Sequence, residues 1–188
     1  MGGCVKGLLS APDGTGSVAE RTVRVAREAL PLWELVLVGG ADHYACLCLP
    51  ALSDAAGVRG PLSGLLSLLE YANDLGATYA IALPIDMPMI TPALVRRLAT
   101  EAPCAGALAP RLEYWEPLFC RYRIPDALPA AQRAIQSGKT ALRAVLESLG
   151  ASTLQLCLTD EEALQLQDWD TPADVSATQS SQVRDSQT

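Results

Sequence analysis

Asp86 stands between two prolines in Tyr79-Ala80-Ile81-Ala82-Leu83-Pro84-Ile85-Asp86-Met87-Pro88-Met89-Ile90-Thr91-Pro92, a stretch whose first half is a continuous apolar run without charge. Such a run reads as a strand buried on both faces of a parallel sheet. Open α/β sheets bind ligands just outside the carboxyl ends of their strands, which is where this carboxylate lies. The prolines restrict the backbone on either side and hold it on a stiff turn. A hard divalent cation bridging to a phosphate takes an oxygen ligand of this kind. The alternative is that Asp86 caps the helix opening near Thr91-Pro92. At the start of the chain, Met1-Gly2-Gly3-Cys4-Val5-Lys6-Gly7 sets three glycines around one lysine. The glycines, Gly2 and Gly3 among them, let backbone N–H groups turn toward a phosphate, and Lys6 supplies a point charge for it. Asp54 precedes Arg59-Gly60-Pro61-Leu62-Ser63-Gly64. Pro61 suits the first turn of a helix, and a glycine-flanked helix start favours anionic or polar groups; a packing turn is the other reading.

These groups need a scaffold, and the hydrophobic pattern supplies one. Ser17-Val18-Ala19-Glu20 has the spacing of a capping box and starts a helix to about Leu30, with Val23, Ala26 and Leu30 inward and Arg21, Arg24 and Arg27 as solvated charges. Asp13-Gly14-Thr15-Gly16 before it is a turn. Strands are predicted at Leu35–Val38, Leu49–Leu52, Tyr79–Leu83, Cys104–Ala109, Tyr114–Tyr122 and Thr153–Leu158. Helices are predicted at Pro61–Leu75, Pro92–Thr100, Asp126–Gln136 and Thr140–Leu149. Strands alternating with helices imply an α/β fold, a parallel sheet with helices on both faces.

At 188 residues the chain reads as one domain over 1–175, followed by a Ser/Gln-rich disordered tail over 176–188. Its net charge of −7, with only two lysines, argues against a broad nucleic-acid surface. A polyanionic small molecule can still be held by a few converging cations, amides and a metal. No apolar run reaches the roughly 20 residues of a membrane span, and the start lacks a secretory signal, so a cytoplasmic location is expected. The six cysteines form no paired C-x-x-C clusters and read as buried reduced thiols, with metal binding at Cys46-x-Cys48 as the minor alternative. His43, the only histidine, reads as a surface or capping residue rather than a catalyst.

Taken in order, Met1-Gly2-Gly3…Lys6-Gly7-Leu8-Leu9, Asp54 with Gly60-Pro61-Leu62-Ser63-Gly64, Asp86-Met87-Pro88, Glu116-Pro117-Leu118 and Asp170-Thr171-Pro172 resemble the molybdenum cofactor guanylyltransferases, the MobA-type members of the nucleotidyltransferase superfamily. The resemblance runs to about Val175. It implies a Rossmann-like, mostly parallel sheet of the nucleotide-diphospho-sugar transferase type, and Mg²⁺-dependent transfer of GMP from GTP to molybdopterin cofactor with release of pyrophosphate. Lys6 would contact the nucleotide phosphates, Asp54 would help hold the nucleotide, Asp86 would bind Mg²⁺ and the nucleotide, and Asp170 would lie near the site. GTP and molybdopterin cofactor are the implied partners, with molybdoenzymes or other cofactor-biosynthesis proteins beyond them.

The chemistry suits a chain with one histidine. An incoming phosphate oxygen is already nucleophilic at neutral pH, so positioning and charge neutralisation at the α-phosphate carry the rate. Two departures from the family pattern stand out. The family places a strand and an L-A-G-G-x-S-x-R segment before the glycine-lysine loop, whereas this sequence begins at the methionine that follows it; the expectation is a chain lacking the first strand and half the phosphate loop. Gly39 also stands where the family tends to place asparagine. The alternatives are a cytidylyl or sugar-phosphate nucleotidyltransferase, and a non-catalytic nucleotide- or molybdopterin-binding protein.

Overall fold

Residue periodicity and capping chemistry place the elements of this chain, whose computed structural model describes residues 5–58 and 60–167. In chain order these are α1 (Val18–Ala29), β1 (Leu37–Val38), β2 (Ala51–Leu52), α2 (Pro61–Asp74), β3 (Tyr79–Ala82), α3 (Pro92–Thr100) and β4 (Ala107–Ala109). They continue with β5 (Cys120–Arg123), α4 (Ile124–Gln136), α5 (Arg143–Leu149), β6 (Thr153–Gln155) and α6 (Asp160–Gln165). The tail expected at 176–188 lies outside the described residues. No helix among the described residues is long and apolar enough to cross a membrane. The chain divides into two compact units, the first drawn from within residues 1–33, 84–95 and 159–188 and the second from 34–83 and 96–158.

In the first unit α1 begins at the predicted capping box. Ser17 Oγ accepts from the Glu20 amide at 3.2 Å, and Glu20 Oε2 accepts from the Ser17 amide at 2.6 Å. Its buried face is Val18, Ala19, Thr22, Val25, Ala26 and Ala29, centred on Val25 where the sequence pattern suggested Val23. Two of the arginines expected in solvent hold the preceding turn instead. Arg24 donates to Thr15 O at 2.7 Å and to Asp13 Oδ2 at 3.1 Å, and Arg21 Nε lies 3.5 Å from Asp13 Oδ2. Gly14 and Gly16 turn the chain at φ +70° and +95°, a region that disfavours residues bearing a Cβ.

The second unit carries a four-stranded sheet in the order β3-β5-β4-β6 and a separate parallel pair, β1-β2. β3, β4 and β6 run one way and β5 alone runs against them, so the sheet is mixed, with three of its four strands parallel in direction. The expected strand over Tyr114–Tyr122 shortens to Cys120–Arg123, because residues 110–119 form a hairpin closed by an Arg111–Trp115 bridge. A connection that short, with no crossover helix, can only return the chain antiparallel.

Pleating sends successive β5 side chains to opposite faces. Cys120 and Tyr122 join α2, α4 and α5 in the main core, and Tyr122 sits in a cross-strand row between Ala80 and Ala107. Small residues on both sides make room for the one large ring, and its hydroxyl donates to Pro117 O at 2.7 Å. Burial pushes the Cys120 thiol up to about 12. Cys120 is the only described cysteine that is buried; Cys46, Cys48, Cys104 and Cys157 are exposed free thiols, against the expectation of buried ones.

Arg121, on the opposite face of β5, is 1% exposed. Its guanidinium donates to the carbonyls of Leu98, Ala99 and Ala102 at 3.2, 2.8 and 2.6 Å, capping the C-terminal end of α3. It also lies 5.0 Å from the centroid of the Tyr79 ring. Helices therefore cover both faces of the sheet.

Candidate functional site

The loop after β3 carries the first candidate. Pro84, Met87, Pro88 and Ile90 are buried and anchor it, while Asp86 between them is partly open to solvent. Apolar anchors on both sides of a carboxylate make a stiff turn, and the buried Pro84, Met87 and Pro88 flank Asp86 in this way. The far end of the loop is tied within the same unit. Gln165 Oε1, at the end of α6, accepts from the Thr91 amide at 3.1 Å and from Thr91 Oγ1 at 2.9 Å. Arg21 Nη1 donates to Ile90 O at 2.8 Å.

Capping of α3 falls to Thr91, whose Oγ1 accepts from the Leu94 amide at 3.4 Å. Asp86 is thereby released from the capping alternative. Its Oδ2 lies 3.9 Å from Lys6 Nζ, both side chains about one-third exposed at 34% and 35%. Lys6 opens a 3₁₀ turn, Lys6–Leu8, whose carbonyl is bonded by Leu9 N at 3.1 Å; Leu9 O in turn accepts from Val18 N at 2.9 Å. The structure thus brings together the two residues singled out for cation and phosphate binding. At this length and exposure the pair is loose, so an incoming anion and cation can each take one partner.

Asp54 belongs to the second unit, just past the carboxyl end of β2. Gly60 starts α2 at φ +80°, and both the amide and the hydroxyl of Ser63 donate to its carbonyl, at 3.0 and 2.8 Å. The glycines have packing roles. A Cβ on Gly60 would lie 3.3 Å from Thr140 Cβ, and one on Gly64 would lie 2.9 Å from Val38 Cγ1 and 3.4 Å from Asp54 Oδ1. Gly64→Ala is accordingly expected to cost about 1–3 kcal/mol of stability through overpacking against β1, read as a lower urea midpoint; an unchanged midpoint would show that Val38 yields freely.

Gly39 takes φ +72° with open space around its Cβ position. Its demand is conformational, and asparagine is among the few residues that tolerate that region. Gly2, Gly3, Arg59 and Asp170 lie outside the described residues. His43 is exposed, with its ring edge-on to Tyr44. Phe119 is fully buried and packs, while Trp115 is partly buried under Arg111, whose guanidinium carbon is 5.6 Å from the ring centroid. Sequence reasoning passed over Arg21, Thr91 and Gln165, the residues that secure the Asp86 loop; the periodicity of α1, with Arg21 one turn after its first buried residue, is the signal that could have found the first.

Residues 1–154 match the MobA-like NTP transferase domain. A molybdenum cofactor guanylyltransferase of Pseudomonas syringae pv. syringae is 28% identical over 163 residues, 83% of this chain and 77% of that protein. Among solved structures, molybdopterin-guanine dinucleotide biosynthesis protein A from Archaeoglobus fulgidus superposes with a TM-score of 0.71 at 20% identity, covering 97% of this chain and 92% of that one. The 2-C-methyl-D-erythritol 4-phosphate cytidylyltransferase from Thermus thermophilus gives 0.68 at 18% identity, covering 93% and 92%. Both likenesses speak for the nucleotide-diphospho-sugar transferase fold. The match over residues 1–154 places this chain in the MobA-like NTP transferase domain family, as a nucleotidyltransferase.

Proposed function

We propose that this chain transfers GMP from GTP to the phosphate of molybdopterin cofactor, releasing pyrophosphate, with Mg²⁺ required. The observation that supports it most is the approach of Lys6 Nζ to 3.9 Å from Asp86 Oδ2 on an anchored, partly open loop. The similarity to a molybdenum cofactor guanylyltransferase gives the substrates of the reading. Among the described residues no group of three or more His, Cys, Asp or Glu side chains could hold a metal ion. One carboxylate suffices for Mg²⁺, which is commonly held by one or two carboxylates together with substrate phosphates, so Asp86 fits that ion. Bound there, Mg²⁺ would neutralise charge developing on the phosphates. Lys6 would bind and orient the phosphate chain as a point charge, Gly2 and Gly3 would offer amides to it, and Asp54 would help hold the nucleotide. Asp170 is assigned a place near the site on the family resemblance. The acceptor phosphate needs no general base.

Calorimetric titration of GTP and then CTP into the protein with Mg²⁺ tests the reading. GTP binding that requires Mg²⁺ and exceeds that of CTP by roughly tenfold or more is expected. The reverse preference would make the enzyme a cytidylyltransferase, whose fold is nearly as close. Nucleotide binding without pyrophosphate release in the presence of molybdopterin would make it a binding protein, and no binding of either nucleotide would overturn the proposal.

A further inference from the structure

Both members of the Lys6–Asp86 pair are fastened to the same helix. The Lys6 turn is held by the first amide of α1, where Val18 N donates to Leu9 O at 2.9 Å. The Asp86 loop is held three residues further along, where Arg21 Nη1 donates to Ile90 O at 2.8 Å. Val18 is the first residue of α1 and Arg21 follows within one turn, so both attachments are made from the first turn of the helix. Arg21 is itself fixed. Its side chain is only 16% exposed and its Nε is 3.5 Å from Asp13 Oδ2. Asp13 is in turn bonded to the Thr15 amide at 3.0 Å and to Arg24 at 3.1 Å. A guanidinium hydrogen-bonded to a carbonyl through one nitrogen and ion-paired to a carboxylate through another is a strut whose planar fork an ammonium cannot reproduce.

We propose that Arg21 is a positioning residue: by holding the Ile90 carbonyl it fixes the Asp86 loop on the helix that also carries the Lys6 turn, and so sets the separation of the two charged groups. The inference rests on the proposed metal and phosphate roles of Asp86 and Lys6. Arg21 touches no reacting atom. Its contribution is geometric, since a carboxylate that drifts from the lysine loses the fixed spacing that a metal–phosphate unit must fit.

The test is titration of Mn²⁺ into an equimolar mixture of protein and GTP, with free Mn²⁺ followed by electron paramagnetic resonance and the binding to GTP alone subtracted, on the parent, Asp86→Asn, Arg21→Met and Arg21→Lys. Arg21→Met is expected to weaken Mn²⁺ by about 10- to 100-fold, the range for a group that orients a ligand. Arg21→Lys, which keeps the charge and loses the strut, is expected to be weaker than the parent by more than about threefold and less affected than Arg21→Met. Melting temperatures recorded alongside identify a merely structural loss. If either arginine variant folds and binds Mn²⁺ within twofold of the parent, whatever its melting temperature, the positioning role is wrong. Should Arg21→Met fail to fold, Arg21→Lys decides alone. If Asp86→Asn weakens Mn²⁺ while the arginine variants do not, only this inference falls; if Asp86→Asn leaves Mn²⁺ unchanged, the metal reading falls and the inference falls with it.

Discussion

Asp86→Asn is expected to lower the turnover of nucleotidyl transfer by about a thousandfold, the size seen when a preorganised charge-stabilising group is lost. The substitution is nearly isosteric and leaves the loop anchors, Pro84, Met87, Pro88 and Ile90, in place. It removes an ion pair that is long at 3.9 Å and one-third exposed on both sides; such pairs contribute about 0–1 kcal/mol to stability. Loss of rate with an almost unchanged urea midpoint is therefore the signature of a functional carboxylate. It is measured by pyrophosphate release with GTP and molybdopterin at saturating Mg²⁺. A rate within tenfold of the parent would remove Asp86 from the chemistry and leave it a surface charge on a stiff turn.

Arg121→Ala is expected to destabilise the protein by about 3–5 kcal/mol, a large share of the roughly 5–15 kcal/mol available to a domain. Among the described residues no carboxylate pairs with this guanidinium. Its charge is met by the negative end of α3, through the carbonyls of Leu98, Ala99 and Ala102, and by the face of Tyr79. Burial lowers the pKa of the arginine, with Tyr79 and Cys120 acting in the other direction. Truncation removes the arginine's bonds to the Leu98 and Ala99 carbonyls, leaves Ala102 O with the Ala105 amide alone, and opens a void beneath the helix. Arg121→Met keeps most of the packed stem and should recover part of the loss, separating volume from hydrogen bonding. Urea unfolding followed by fluorescence reads both variants. A midpoint for Arg121→Ala that corresponds to less than about 1 kcal/mol would mean that water reaches the end of α3 and replaces the arginine.

Much of this architecture can be read from local chemistry. The capping box at Ser17, Pro61 at the start of α2 and Pro92 at the start of α3 mark helix starts that the structure reproduces within a residue or so. The apolar run before Asp86 is β3, and the carboxylate follows its end. Strand direction was harder to read. Alternation of strands and helices suggests parallel pairing throughout, and only the absence of a helix between Ala109 and Cys120 reveals that β5 reverses. The sequence pattern makes Arg21 a solvated charge and passes over Arg121 for one physical reason: burial of an arginine depends on carbonyls supplied by distant segments, Ile90 for Arg21 and the end of α3 for Arg121. The pairing of Lys6 with Asp86 was legible only through family resemblance, because no local pattern links residues so far apart in the chain.

The ties on the Asp86 loop also impose an order on biosynthesis. The four-stranded sheet of the second unit is complete in sequence by Gln155, but the loop that follows β3, its first strand in sequence, is pinned by Arg21 far upstream and by Gln165 far downstream. On the ribosome the aspartate emerges with its early strut available and its late one still unmade. Domains tend to fold as units once their segments are out, so the charged pair reaches its final setting only when the last described helix has been released. A nascent chain stalled before residue 165 would carry a nearly finished sheet and an Asp86 loop held by only one of its two ties.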